Sequence, residues 1–212
     1  MKGQGAARWA PLTGVVFVVL VVVAFAIGGE TPDADESTQE VVSFYTDHDS
    51  GQMVSAAFLA WSSLFLLFFA GYMRALLREG EETGILSAVS FAGAIVLAVG
   101  MLAFGGFTFT LGDVADKLDP AALQALNALN SDFFFPVAIG TGTFMIATGL
   151  ALVRRPELPA WLAWVAIVIG IVAITPIGFF GFLLMMLWVL VVSVMLTLRA
   201  RAEAPASSAP GP

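Results

Sequence analysis

Hydrophobic and polar positions along this chain do not alternate. They fall into long apolar blocks separated by short polar ones, a pattern too long-ranged for strands. Charge-free apolar stretches run over residues 11–27, 53–72, 85–109 and 133–153, and a further block covers 161–198. Each of the first four has the length that a helix needs to cross the ~30 Å hydrocarbon core of a bilayer. The last block would be about 57 Å long as one helix at ~1.5 Å per residue, nearly twice that thickness, so it must turn back. The break is predicted at Ile174-Thr175-Pro176-Ile177-Gly178, with Thr175 capping the next helix and Pro176 in its first position, where a missing N–H costs nothing. The expected fold is therefore all-α, a polytopic transmembrane helical bundle. Its six spans lie at about 11–27, 53–72, 85–109, 133–153, 159–174 and 177–198, within one domain over 1–200. Residues 201–212, rich in Ala, Ser and Pro, are expected to be a disordered cytoplasmic tail.

Proline placement agrees with these boundaries. Pro11, Pro159 and Pro176 open spans, Pro136 sits in the first turn of the fourth, and the rest lie between spans or in the tail. None falls mid-span, where it would free backbone groups that lipid cannot satisfy. Gly100, Gly105 and Gly106 would either loosen the far half of the third span or mark close helix contact. Ala138-x-x-x-Gly142 and Ala166-x-x-x-Gly170 have the small-residue spacing of tightly approaching helices, with a partner in this chain or another.

Two inter-span segments of about 20 residues each predict short helices of their own. Ser37-Thr38-Gln39-Glu40 fits a capping box ahead of Val41-Val42-Ser43-Phe44-Tyr45. Asp119-Pro120 starts a helix to Asn130, with Leu123, Leu126 and Leu129 at three-residue spacing. The shared order of acidic stretch, capped helix and Asp/Asn-rich end suggests a weak hairpin repeat.

Composition turns this pattern into a class. The chain has 212 residues, 59% hydrophobic and 12% charged, with a mean hydropathy of +0.93. Soluble domains hold about 45–50% apolar and about 25% charged residues, so a water-soluble globule is excluded. The net charge of −7 is unevenly placed. Lys2, Arg8, Arg74, Arg78, Arg154, Arg155, Arg199 and Arg201 flank one set of span ends, and Lys117 alone lies on the other side. Basic residues mark the cytoplasmic side, so both termini are expected there. Eleven of the sixteen acids fall in the two outer loops. Trp9, Trp161, Trp164 and Tyr72 lie near the cytoplasmic boundary, where such rings anchor helices. The first span also has the basic flank, apolar run and Ala24-Phe25-Ala26 of a signal peptide; cleavage would leave five spans with the loops on the same sides.

Absent chemistry narrows the function. Without cysteine there are no disulfides, thiol nucleophiles or thiolate metal sites, and with one histidine there is no paired-imidazole site. The predicted spans contain no Asp, Glu, Lys, Arg or His, which argues against ion-coupled transport and intramembrane catalysis. The hydroxyls of Ser55, Ser62, Ser63, Ser87, Ser90, Thr141, Thr143, Thr148 and Ser193 are expected to tie helices together. Asp47-His48-Asp49 is the sharpest polar cluster and the one candidate metal or pH-sensing group. Consecutive residues do not share a helix face, however, so it reads mainly as a solvated segment with Asp49 or Ser50 as cap. Asp113, Asp116 and Asp119 are likewise expected to be a solvated run. No catalytic residue, cofactor or nucleic-acid partner is expected.

Leu158-Pro159-Ala160-Trp161-Leu162-Ala163-Trp164, the hairpin ending in Leu187-Trp188-Val189-Leu190, Val41-Val42-Ser43-Phe44-Tyr45 and Leu118-Asp119-Pro120-Ala121-Ala122 together resemble a family of bacterial membrane proteins. Its members are six-span proteins built on a domain of unknown function and abundant in high-GC Gram-positive bacteria. The similarity extends over the chain after residue 10. It implies a fold and a location, the bacterial cytoplasmic (inner) membrane, but brings no site residues. Seven arginines against two lysines fit a high-GC source. The expected function is non-enzymatic: packing within the lipid bilayer and binding a membrane-protein partner or a second copy. The alternative is a small transporter or channel for a neutral or apolar solute.

Overall fold

The computed structural model describes residues 9–79, 81–153 and 158–202. Within them all regular structure is helical: α1 (Leu12–Gly28), α2 (Thr38–Asp47), α3 (Asp49–Arg78), α4 (Ile85–Val114), α5 (Pro120–Asp132), α6 (Phe135–Leu152), α7 (Ala160–Ala173) and α8 (Gly178–Ala202). Four helical stretches are long and apolar enough to cross a membrane: α3, α4, α8 and the run 120–152. That run is interrupted at Phe133-Phe134, so its apolar part is the 18 residues of α6. The apolar helices α1 and α7 are shorter, at 17 and 14 residues.

Local chemistry sets the ends. Gly29 stops α1 in a backbone conformation with φ +67° that only glycine adopts readily, its N–H reaching the Phe25 carbonyl at 3.1 Å. Gly84 opens α4 in the left-handed region. Pro11, Pro120, Pro136 and Pro159 all stand at helix starts. The predicted reversal over 174–177 is present, but Thr175 plays a different part in it. Its hydroxyl donates backwards to the Val172 carbonyl at 2.7 Å, closing α7 instead of capping α8. Two helices also outrun their apolar stretches. α3 begins at Asp49, with polar Asp49, Ser50 and Gln52 in its first turn, and α4 runs on to Val114. A helix needs hydrogen-bonded turns, not apolar side chains, so it ends where the backbone breaks. α8 likewise continues through Ala202, two residues into the expected tail; residues 203–212, Lys2, Arg8, Arg154 and Arg155 lie outside the described residues.

The bundle is a chain of antiparallel neighbours. α1 packs on α3, α3 on α4, α4 on α6, α6 on α7, α7 on α8, and α8 closes back on α1. α6 also touches α8, so α7 sits on the outside of that seam. The contacts between α4 and α6 are made at glycines. A Cβ at Gly140 would stand 2.6 Å from Leu97 Cα, and one at Gly93 would stand 2.9 Å from Phe144 Cα. A Cβ at Gly100 would lie 2.9 Å from the Val137 backbone nitrogen, so close contact is its role. Gly105 has ordinary contact with Ala56, and Gly106 faces open space. The two small-residue motifs find each other within this chain: a Cβ at Gly142 would lie 3.1 Å from the Gly170 carbonyl oxygen, and one at Gly170 would lie 2.9 Å from that of Gly142. Backbones this close gain dispersion contact along their whole length.

Candidate functional site

α2 and α5 lie together at one end of the bundle and form a cap. Each is built as its sequence dictates. The Ser37 hydroxyl accepts the Glu40 N–H at 3.3 Å, and the Glu40 carboxylate accepts the Ser37 N–H at 3.2 Å, a complete capping box. Asp119 accepts the Ala121 N–H at 2.9 Å, with Pro120 in the first helical position. Val41, Tyr45, Leu111, Ala115 and Leu123 then form a small core separate from that of the bundle. Of the three α5 leucines, Leu123 and Leu126 pack on this core, Leu126 partly buried. Leu123 is buried but Leu129 is 48% exposed, because three-residue spacing drifts around a helix of 3.6 residues per turn. Asn127 and Asn130 take the buried positions instead.

Asn127 joins the two inter-helix segments. The buried Tyr45 hydroxyl donates to its Oδ1 at 2.8 Å, and its Nδ2 donates to the Pro32 and Asp33 carbonyls at 3.2 Å each. Beside it, Gln124 Nε2 donates to the Glu36 carbonyl at 2.9 Å and Gln124 Oε1 accepts the Thr38 hydroxyl. Burial pushes the Tyr45 phenol up to about 12.

The cap separates the members of the Asp47-His48-Asp49 cluster. Asp47 and His48 face a groove of about 490 Å³ shared with Glu30, Asp33, Glu36 and Glu40. Asp49 lines a different recess, with Asp113, Asp116 and Lys117. Only Asp49 therefore approaches the acids of the second segment. Among the described residues no three His, Cys, Asp or Glu side chains are grouped to hold a metal ion. The expected solvated segment is a corner where one helix hands over to the next. His48 ends α2 and precedes α3; its Nδ1 is 2.9 Å from the Phe44 carbonyl and its ring stacks on Phe44 with centroids 4.7 Å apart. The Asp49 carboxylate accepts the Ser50 N–H. Of the second acidic run, Asp113 pairs with Lys117 at 3.2 Å and Asp119 is the α5 cap. In the groove, a hydrogen bond and the charge of Glu40 raise the Glu36 carboxyl, while the Ser37 hydroxyl lowers that of Glu40.

Inside the bundle no ionisable side chain is buried among the described residues. Ser55 donates to the Ala24 carbonyl at 2.9 Å, Gln52 to the Gly28 carbonyl at 2.6 Å, and Ser90 and Thr148 share a bond at 2.7 Å, so these hydroxyls and the amide bridge helices. Ser62 and Ser87 turn back to carbonyls near their own positions, and Thr141 and Ser193 are buried without a partner.

Beneath the cap is a pocket of about 80 Å³ whose lining presents no polar surface: Phe25, Leu59, Met101, Phe104, Phe134, Val137, Phe179 and Phe182. The sequence carried no sign of it, since its phenylalanines come from α1, α4, the turn before α6, and α8. No family model matches the chain, and no curated protein or solved structure matches it.

Proposed function

We propose that the chain is a six-span integral protein of a bacterial cytoplasmic membrane, of the high-GC Gram-positive kind it resembles. In this reading both termini are cytoplasmic, and the protein acts by binding a partner at its cap, not by catalysis or transport. Antiparallel packing puts the start of α1 and the end of α8 together, opposite the cap. Arg74, Arg78 and Arg199 belong to that end, the side that basic residues mark as cytoplasmic. α1 and α7, about 26 and 21 Å long at ~1.5 Å per residue, span by local thinning of the bilayer.

The observation that carries the binding reading is the buried Tyr45–Asn127 bond, which makes one folded surface of two segments. That surface presents carboxylates with Lys117 as the one cation among its described residues, so the partner it fits is basic. The Gly, Ser and Thr faces that a neutral-solute pathway would use are consumed in helix contact at Gly93, Gly140 and Ser90–Thr148.

Single cysteines at positions 35, 116 and 82 test the topology. Membrane-impermeant reagent should modify the first two in intact cells and spare the third. Photo-crosslinking from the cap should then capture one protein, and Glu30→Lys with Asp47→Lys should abolish capture while the fold melts unchanged. Solute flux through liposomes above the protein-free control would overturn the reading in favour of a transporter.

A further inference from the structure

We propose that the aromatic pocket is a binding site for a segment of hydrocarbon chain from a phospholipid of the outer leaflet, entering sideways between α1 and α8. The inference rests on the membrane reading above. An apolar cavity offers water no hydrogen bond and stays dry, and on the same measure one water needs roughly 10–15 Å³. The pocket, at about 80 Å³, has room for several carbon atoms and accepts only apolar ones.

The α1–α8 seam shows the way in. At the end away from the cap the seam is shut, because a Cβ at Gly14 would already lie 3.0 Å from Val189 and nearer still to Ser193, both buried on α8. At the cap end rings of the two helices face each other: Phe25 is 6.4 Å from both Phe179 and Phe182, centroid to centroid. Phe25 and Phe179 are also the two most exposed residues of the lining, at 36% and 48%, whereas Leu59, Met101, Val137 and Phe182 are buried. The seam is thus closed at one end by buried side chains of α8 set against the Gly14 backbone, and at the other by exposed, turnable rings. Exposed side chains change rotamer in picoseconds to nanoseconds, so the mouth opens without moving a helix. It opens on a face where Val22 of α1 and Leu187 of α8 are exposed, which in a bilayer is hydrocarbon.

The test uses the full chain in nanodiscs containing a phospholipid with a diazirine in one acyl chain, followed by photolysis and peptide mass spectrometry. Adducts are expected on the buried residues Leu59, Met101 or Phe182 as well as on the outward Val22 and Leu187. Val137→Phe, which fills the pocket, should cut the buried adducts at least fivefold and leave the outward ones unchanged; Leu59→Phe serves where that variant does not fold. Outward adducts without buried ones would overturn the pocket, as would buried adducts that persist in a folded, filled variant. Absence of adducts at Val22 and Leu187 as well would overturn the membrane reading itself.

Discussion

Tyr45 and Asn127 stand 82 positions apart and share one buried hydrogen bond of 2.8 Å, with no accessible surface left on either residue. That pairing joins the two cap segments together with the Gln124 bonds and the small apolar core, and the same amide also holds the chain at Pro32 and Asp33. Asn127→Ala should therefore destabilise the protein by about 1–3 kcal/mol, the cost of leaving buried polar groups unpaired. Hydrogen exchange should rise over residues 38–47 as well as 120–132. Exchange confined to one segment would show that the two fold independently.

The buried phenol makes the cap sensitive to alkali. Its folded value of about 12 lies above the ordinary value of 10, so the neutral form is the one the fold favours. The sign follows: this contribution to stability is whole below pH 10 and is lost as pH rises from 10 to about 12. With two tyrosines in the chain, tyrosinate absorbance should show a late step that Tyr45→Phe removes.

Two glycines on the same helix system should respond in opposite ways. Gly140→Ala drives a methyl to 2.9 Å from Leu97 Cβ and nearer still to its backbone, which should cost about 1–3 kcal/mol through overpacking. Gly106→Ala meets nothing within 4 Å and should be neutral or stabilising by up to about 1 kcal/mol, as alanine is the better helix former. Chemical denaturation in detergent measures both.

His48→Ala should lower stability by about 0.5–1 kcal/mol through the lost stack on Phe44. Thermal melts with chelator, Zn²⁺ or Mn²⁺ should superimpose for wild type and variant alike. A metal-dependent rise in the wild type that the variant lacks would establish a site at Asp47 and His48.

The elements that the sequence disclosed are those written in local chemistry. The capping box at Ser37–Glu40, the Asp119-Pro120 start and the reversal around Pro176 each depend on residues within a few positions of one another. The Gly142 and Gly170 motifs were legible as contact surfaces, though only the fold shows that they meet each other. Long-range polar pairing left no trace: Tyr45 reads as one more apolar position of α2, and Asn127 as one more polar residue among leucines. The same holds for the ends of α3 and α4, where apolar stretch and helix part company. The pocket escaped notice because eighteen phenylalanines in a chain of this kind are unremarkable until three helices and a turn set some of them face to face.

The separation between the partners of the cap also fixes an order in time. A chain emerging from the ribosome at about 5–20 residues per second completes Tyr45 some 4–16 s before Asn127 exists. During that interval the α2 segment has no counterpart for its hydroxyl and no leucine of α5 to cover Val41. The first hairpin is held by the α1–α3 contacts, the Gln52 and Ser55 hydrogen bonds and apolar packing, and closure of the cap waits until α5 has been made. Cap formation therefore follows synthesis of the first three bundle helices and can precede that of the last three.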